Sequence, residues 1–343
     1  MSSILEVKNL KTKFKTDNGF ITVVDDVDFS INQGETLGIV GESGCGKSVT
    51  SLSIMQLLQP NASNEGEIIF QGKDILKLRE KELKKLRGNE MAMIFQEPMT
   101  SLNPLHTVGK QIEEAIKLHM NLSKQQTRER AIEMLKLLGM PRPEEIHGEY
   151  PHKLSGGMRQ RVMIAMAMAC NPRLIIADEP TTALDVTIQA QILDLLRDLK
   201  AKSGMSLMLI THDLAVVAEM CDRVIVMYAG QVVEETTVRT LFNNPKHPYT
   251  KGLMDSIPKF DEETEYLNTI PGTVPLAYQM PNGCRFAPRC SQAIDICYDH
   301  VPKLKEIEGN HKCRCWLYEG GGVNNESKGS DTGSKTVEET FSN

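Results

Sequence analysis

The sequence predicts an α/β fold in which helices flank a largely parallel β-sheet. Short apolar runs alternate with longer helical stretches up to about residue 240, which is the pattern of such a domain. A glycine-rich loop stands between one apolar run and a helical stretch. The 343 residues, with 40% hydrophobic and 24% charged content, are enough for a substantial core. The strand candidates are residues 37–40, 91–95, 174–177, 207–210 and 224–227.

The glycine-rich loop, GESGCGKS at residues 41–48, fits the phosphate-loop pattern G-x4-G-K-[ST]. Its backbone N–H groups and the following helix favour phosphates, Lys47 would bridge the outer phosphates, and the Ser48 hydroxyl can bind Mg²⁺. A chance glycine-rich turn is the alternative, but the position between strand and helix disfavours it. The helix start is also expected to lower the pKa of the Cys45 thiol. We predict an ATP site formed by Gly41, Glu42, Ser43, Gly44, Cys45, Gly46, Lys47, Ser48 and Val49.

Between the second and third strand candidates the sequence becomes helical. Residues 108–139 are rich in Glu, Gln, Lys and Leu at helical spacing. We therefore predict a helical subdomain, at about residues 97–160, inserted into the α/β core.

Polar residues end three of the strand candidates. Asp178 and Glu179 follow the apolar run 174–177 at the edge where open parallel sheets bind ligands. Asp178 would hold Mg²⁺, directly or through water, while Glu179 would orient and polarise the attacking water. Gln96 and His212 end two other runs and are expected at the same edge. Beside a phosphate loop, this set predicts ATP hydrolysis rather than a solvated turn.

A second anion-binding element lies at LSGGM, residues 154–158, just before a helical stretch. Ser155, Gly156 and Gly157 would form a helix N-terminus suited to an anion. An ordinary capped helix start is the alternative. Because the sequence has one complete phosphate loop, the additional site suggests that ATP is shared between two chains.

Taken together, these motifs resemble the nucleotide-binding subunit of an ABC transporter. The resemblance covers roughly residues 4–240 and rests on GESGCGKS, Gln96, LSGGM, LIIADEP, Ala183-Leu184-Asp185 and Thr211-His212. It implies a P-loop NTPase core of the ABC ATPase type, with two ATPs held between two subunits. Each ATP would contact the phosphate loop of one subunit and the LSGG segment of the other.

The resemblance also implies roles for single residues. Phe14 would stack on adenine, Asp185 would contact the second subunit, and Gln96 would act in catalysis and bind Mg²⁺ together with Ser48 and Asp178. The segment after Gln96 would face the membrane subunits. Met158 departs from the family, where Gln is the commonest residue, and a methionine side chain cannot donate a hydrogen bond.

After residue 242 the sequence is proline-rich and irregular. Five of the eight cysteines of the whole chain fall within residues 284–315. In a reducing cytosol this clustering suggests a metal or cluster site before disulfides. The spacing C-x5-C-x6-C-x15-C lacks the C-x2-C pairs of common zinc sites, and it leaves zinc and iron–sulfur both open. The four predicted ligands are Cys284, Cys290, Cys297 and Cys313, with Cys315 to spare.

The extension resembles the C-terminal region of peptide-importer ATPases, through PKHPYT at 245–250, IPGTVP at 270–275 and GCRFAPRC at 283–290. The peptide-importer ATPases are also resembled by the segments QEPMTSLNP and LSGGMRQRVMIAMA. This resemblance implies import of di- or oligopeptides, a related but non-identical second ATPase, two membrane permeases, an external peptide-binding protein, and a [4Fe–4S] cluster. Nickel importers share much of this sequence, so nickel is the alternative solute. We expect an ATPase domain at residues 1–245, the extension at 246–318 and a disordered tail at 319–343.

Other functions fit less well. The net charge of −6 argues against a general grip on nucleic acid. No apolar run approaches 18 residues, so we expect a cytosolic chain held at the membrane by other subunits. An ABC-type ATPase of DNA repair would carry a long coiled coil, yet only 107 residues separate Lys47 from Ser155. An inert dimerisation partner would not need both Glu179 and His212.

Overall fold

This computed structural model describes residues 2–182, 184–256 and 269–318. These residues form two β-sheets and a group of helices. The strands are β1 Ser3–Thr16, β2 Gly19–Asn32, β3 Thr36–Val40, β4 Ala62–Phe70, β5 Lys73–Asp74, β6 Met91–Ile94, β7 Leu174–Asp178, β8 Ser206–Ile210, β9 Arg223–Tyr228, β10 Gln231–Thr237, β11 Lys305–Glu308 and β12 His311–Cys313. The helices are α1 Lys47–Met55, α2 Glu80–Leu86, α3 Pro98–Ser101, α4 Val108–His119, α5 Lys124–Leu137, α6 Pro143–Ile146, α7 Gly156–Met168, α8 Val186–Ser203, α9 Leu214–Met220, α10 Val238–Asn243, α11 Pro248–Asp255 and α12 Ile296–Asp299.

The main sheet has the strand order β11-β12-β10-β9-β3-β8-β7-β6. Strands β9, β3, β8, β7 and β6 are parallel, and they contain the five predicted apolar runs except Phe95, which lies one residue beyond β6. Every residue of β3, β7 and β8 is buried, which explains why these strands read as continuous apolar runs. Their carboxyl ends therefore meet at one edge, where the phosphate loop also lies.

A second, antiparallel sheet of order β2-β1-β4-β5 was not predicted. Its long strands alternate buried and exposed residues, so their apolar content is spread thinly along the sequence. Leu5, Val7 and Leu10 of β1 pack into the same core as Ile39 of β3 and Ile54 of α1. This sheet covers the helix that follows the phosphate loop.

Helices α3 to α7 are inserted between β6 and β7. Helices α4 and α5 occupy the region whose residue spacing predicts helix, and Thr107 and Ser123 cap their N-termini with side-chain oxygens. Ile112 and Leu135 bring the two helices into one core with Val162 of α7. The inserted helices thus fix the position of the LSGG segment, which begins α7.

The C-terminal extension is more regular than its sequence indicates. Strand β12 pairs with β10, with Cys313 opposite Glu234, so the extension adds two strands to the main sheet. Tyr228, Tyr249 and Phe286 form an aromatic cluster with ring centroids 4.7 to 5.4 Å apart. Among the described residues, no helix has the length and apolarity to cross a membrane. Ala183 and the predicted disordered tail at 319–343 lie outside these residues.

The extension contains a histidine that is expected to make folding sensitive to acid. His247 caps α11 by accepting the Tyr249 N–H at 3.1 Å, and burial lowers its pKa to about 3. The unfolded chain binds a proton near pH 6.5 that the folded chain excludes. The contribution of neutral His247 to the free energy of unfolding is therefore present above pH 6.5 and is lost as the pH falls towards 3. The loss between pH 7 and pH 5 is about 2 kcal/mol.

Asn at position 247 could keep the cap without titrating. In urea titrations at pH 7 and pH 5, the His247→Asn chain is expected to lose about 2 kcal/mol less unfolding free energy than the unchanged chain. An equal loss in both chains would show that His247 does not carry this acid sensitivity.

Candidate nucleotide and hydrolysis site

The phosphate loop connects β3 to α1 at the carboxyl edge of the main sheet. Gly46 has a φ of 103° at the helix N-cap, a left-handed conformation that favours glycine. A Cβ at Gly41 would lie 2.2 Å from the Met227 carbonyl oxygen, so only glycine fits there. The loop glycines are thus required by backbone conformation and by close packing.

Lys47 extends back across the mouth of the loop. Its Nζ donates to the carbonyl oxygens of Gly41 at 2.8 Å and Glu42 at 3.1 Å, and its side chain is buried. These neutral acceptors hold the ammonium in place. Phosphate oxygens are stronger, charged acceptors, so the arrangement suits nucleotide binding.

Two of the three predicted magnesium ligands, Ser48 and Asp178, are in contact. Asp178 ends β7, and its Oδ1 accepts from the Ser48 hydroxyl at 3.0 Å while its Oδ2 accepts from Ser51 at 3.4 Å. Burial raises the pKa of Asp178, which the Ser48 hydrogen bond partly opposes. Oxygen ligands of this kind suit Mg²⁺, and a bound cation would favour the ionised carboxylate.

Glu179 is the centre of a polar group at the same edge. Its Oε2 accepts from Gln96 Nε2 at 3.1 Å and from Thr182 Oγ1 at 2.8 Å, and it lies 3.4 Å from His212 Nδ1. The structure thus brings Glu179, Gln96 and His212 together, although they come from three strand ends. Thr182 was not predicted, because one threonine beyond an Asp-Glu pair carries no distinctive sequence signal.

The LSGG segment opens α7, with Leu154 buried and Gly157 half-buried. Ser155 caps the helix by accepting the Met158 N–H at 3.3 Å, and Ser155 and Gly156 are exposed. Met158 is half-buried against the helical core, so this side chain contributes packing. Asp185 is exposed and caps α8 through the Ile188 N–H at 2.9 Å.

Phe14 belongs to the antiparallel sheet and not to the parallel strands just described. It is a half-buried residue of β1, opposite Ile21 of β2 and Ala62 of β4. Its place in the antiparallel sheet leaves the adenine-stacking role a prediction.

Cys45 does not have the lowered pKa that its position at a helix start suggested. Its thiol is buried, and burial raises the pKa even though Lys47 acts in the opposite direction. We expect Cys45 to react slowly with iodoacetamide at pH 7, which mass spectrometry of the labelled peptides can measure. Labelling of Cys45 before the more exposed Cys170, which lies outside the cysteine cluster, would contradict this expectation.

Four of the five clustered cysteines influence one another. Burial, together with the charges of Cys284, Cys290 and Cys297, raises the pKa of Cys315 to about 11. Cys313 instead lies opposite Glu234, and burial, that carboxylate and, among the clustered cysteines, Cys315 raise its pKa. Within the described ranges, no three His, Cys, Asp or Glu side chains are placed to hold one metal ion.

Two family matches cover most of this architecture. Residues 24–182 match the ABC transporter family, and residues 233–297 match the C-terminal region of oligopeptide/dipeptide transporters. The first match includes the phosphate loop, the LSGG segment and Glu179. The second includes the segment that carries Cys284, Cys290 and Cys297.

Related proteins agree with these matches. The chain is 56% identical to the oligopeptide transport ATP-binding protein AppD of Bacillus subtilis, over 93% of this chain and 98% of that one. It is 50% identical to the oligopeptide transport ATP-binding protein OppD of Haemophilus influenzae, over 92% and 98%. Among solved structures, the ATP-binding cassette MJ0796, a dimer in a post-hydrolysis state with ADP and phosphate, matches with a TM-score of 0.62 at 33% identity. That match covers 68% of this chain and 99% of MJ0796.

Proposed function

The chain belongs to the ABC transporter family of ATP-binding proteins, and from this we propose that it hydrolyses ATP to power the import of peptides across the cytoplasmic membrane. The observation that carries the proposal is the group around Glu179, which lies beside the Ser48–Asp178 pair and the phosphate loop. The names of AppD and OppD, both oligopeptide transport ATP-binding proteins, support peptides as the solute.

The hydrolytic step follows from the geometry of this group. Lys47 and the loop N–H groups bind the phosphates. Ser48, Asp178 and Gln96 would hold Mg²⁺, which would supply positive charge beside the phosphates. Glu179 accepts a hydrogen bond from the attacking water and aligns it with the γ-phosphate. Gln96 and Thr182 hold the Glu179 carboxylate in position. His212, 3.4 Å from the same carboxylate, would interact with the γ-phosphate.

A second ATP-binding subunit would complete the site. Ser155 and Gly156 are exposed at the start of α7, where helix N–H groups can bind a phosphate of a nucleotide carried by another chain. Asp185 is exposed nearby and is available for a contact between subunits. The dimeric MJ0796 structure supports this arrangement, and we propose that the partner is a related, non-identical ATPase.

The membrane permeases would bind next to α3. Met99 and Leu105 are 60% and 80% exposed in the segment that follows Gln96, and apolar surface of this kind favours a protein partner. A groove of about 420 Å³ lies between this segment and α7, lined by Gln96, Met99 and Gly156 among others. Movement of a permease there would reach both Gln96 and the LSGG segment. The peptide-binding protein would act from the opposite side of the membrane.

We further propose that the cysteine segment binds a [4Fe–4S] cluster. Zinc holds four thiolates at about 2.3 Å each, which brings the sulfurs within about 4 Å of one another, whereas the four irons of a cluster space them more widely. The electrostatic interactions among Cys284, Cys290, Cys297 and Cys315 place these thiols near one another, which supports one shared site. The arrangement favours Cys315 rather than Cys313 as the fourth ligand. Anaerobically purified Cys315→Ser should therefore lose iron, while Cys313→Ser retains it.

Uptake of a labelled tripeptide by cells tests the proposed function. Cells that carry the chain with its permeases and binding protein should import the peptide, and cells with Glu179→Gln should not. Import of ⁶³Ni²⁺ in place of the peptide would show that nickel, the alternative solute, is the one transported.

A further inference from the structure

The C-terminal extension reaches into the phosphate loop at Glu42. Arg289 donates from its two terminal nitrogens to the two carboxylate oxygens of Glu42, at 2.8 and 3.2 Å. The Tyr249 hydroxyl oxygen accepts the backbone N–H of Glu42 at 2.9 Å. One residue of the loop is therefore held at its side chain and its backbone by residues more than 200 positions later.

Arg289 is fixed independently of Glu42. Its Nε donates to the Pro271 carbonyl at 2.8 Å, and a terminal nitrogen donates to the Ile270 carbonyl at 3.3 Å. Its guanidinium also lies 5.7 Å from the centre of the Tyr228 ring, and the side chain is 6% exposed. The arginine thus presents a preorganised, two-point partner to the carboxylate, and little side-chain entropy is lost when the pair forms.

The charge of Glu42 matters because of its place in the loop. The Glu42 carbonyl oxygen accepts from Lys47 Nζ, the same ammonium that would bind the ATP phosphates. An unpaired carboxylate on this residue would lie within a Debye length of several phosphate charges and would oppose their binding. Arg289 removes that repulsion and at the same time fixes the first half of the loop.

We propose that Arg289 is a positioning residue for ATP binding, which acts by neutralising Glu42 and holding the phosphate loop in its binding conformation. The extension is then a working part of the ATP site of its own chain. Disturbance of the neighbouring cysteine segment would reach the nucleotide through this pair.

The test measures MgATP affinity, with a fluorescent ATP analogue, and steady-state hydrolysis on the full-length chain. Arg289→Gln is expected to raise Kd and KM for ATP about tenfold and to leave kcat within about twofold. In the double variant Glu42→Gln with Arg289→Gln, no carboxylate is left unpaired, and Kd should return to within about threefold of the original value. A purely structural role of Arg289 would not be corrected by the second substitution.

Arg314→Gln is the matched control. Arg314 also joins the extension to an acidic residue of the ATPase domain, Asp26 at 3.2 Å, and it donates to the Val232 carbonyl at 2.8 Å. It has no part in the phosphate loop, so its removal should lower thermal stability and leave the ATP Kd within about twofold.

Three results would overturn the proposal. They are a Kd for Arg289→Gln within about twofold of the original, a double variant as weak as the single one, or an equal loss of affinity in Arg314→Gln. If Arg289→Gln alone does not fold, the double variant decides, because near-normal affinity supports the proposal and a tenfold loss refutes it.

Discussion

Glu179→Gln is expected to lower the rate of ATP hydrolysis by at least about 100-fold, because a general base of this kind contributes 10²- to 10⁴-fold to such reactions. The amide can still accept hydrogen bonds from Gln96 and Thr182, so the local geometry should persist. Only the negative charge that polarises the water is lost. The rate of phosphate release should therefore fall, while the Kd for ATP, measured on the same preparation, stays within about threefold of the original value.

Glu90→Gln is a suitable control for this experiment. Glu90 precedes β6 at the opposite edge of the sheet, where it forms an exposed ion pair with Arg173. Its removal should leave hydrolysis unchanged. Undiminished hydrolysis in Glu179→Gln would show that another group activates the water.

Lys47→Ala is expected to weaken MgATP binding about 100-fold, which corresponds to about 2.7 kcal/mol. The Lys47 ammonium is buried at the loop mouth and is positioned for charge-assisted hydrogen bonds to phosphate oxygens. The substitution also leaves the Gly41 and Glu42 carbonyl oxygens without their donor. Titration with a fluorescent ATP analogue measures the change directly.

A lysine on the inserted helices provides the comparison. Lys117 is exposed on α4 and pairs with Glu113, and its replacement by Ala should leave ATP affinity unchanged. ATP binding by Lys47→Ala within threefold of the original chain would mean that the loop binds phosphate mainly through its backbone.

The parallel strands and the residues at their ends could be predicted from sequence for one reason. A strand buried on both faces must be apolar throughout, so 174–177 and 207–210 stand out, and the polar residues that follow must lie at the ligand-binding edge. The antiparallel sheet gives no such signal, since β1 and β2 have only one buried face and their polar residues dominate the local sequence.

Long-range contacts account for most of what the sequence could not indicate. The pKa of Cys45 depends on burial by the surrounding fold, which outweighs the helix start and Lys47. Cys313 ends β12 opposite Glu234, whereas Cys315 lies two residues beyond that strand. Two cysteines so close in sequence look equivalent until the strand is placed. Arg289 meets Glu42 only because the extension folds back over the main sheet.

The most direct test of the composite ATP site is the molar mass of the Glu179→Gln chain in MgATP, measured by light scattering during size-exclusion chromatography. We expect ATP to double the mass, alone or with the second ATP-binding subunit of the transporter, and Ser155→Arg to abolish the doubling while the phosphate loop still binds ATP. A Glu179→Gln chain that binds ATP but stays monomeric in both settings, or a Ser155→Arg chain that dimerises equally well, would contradict a site shared between two subunits.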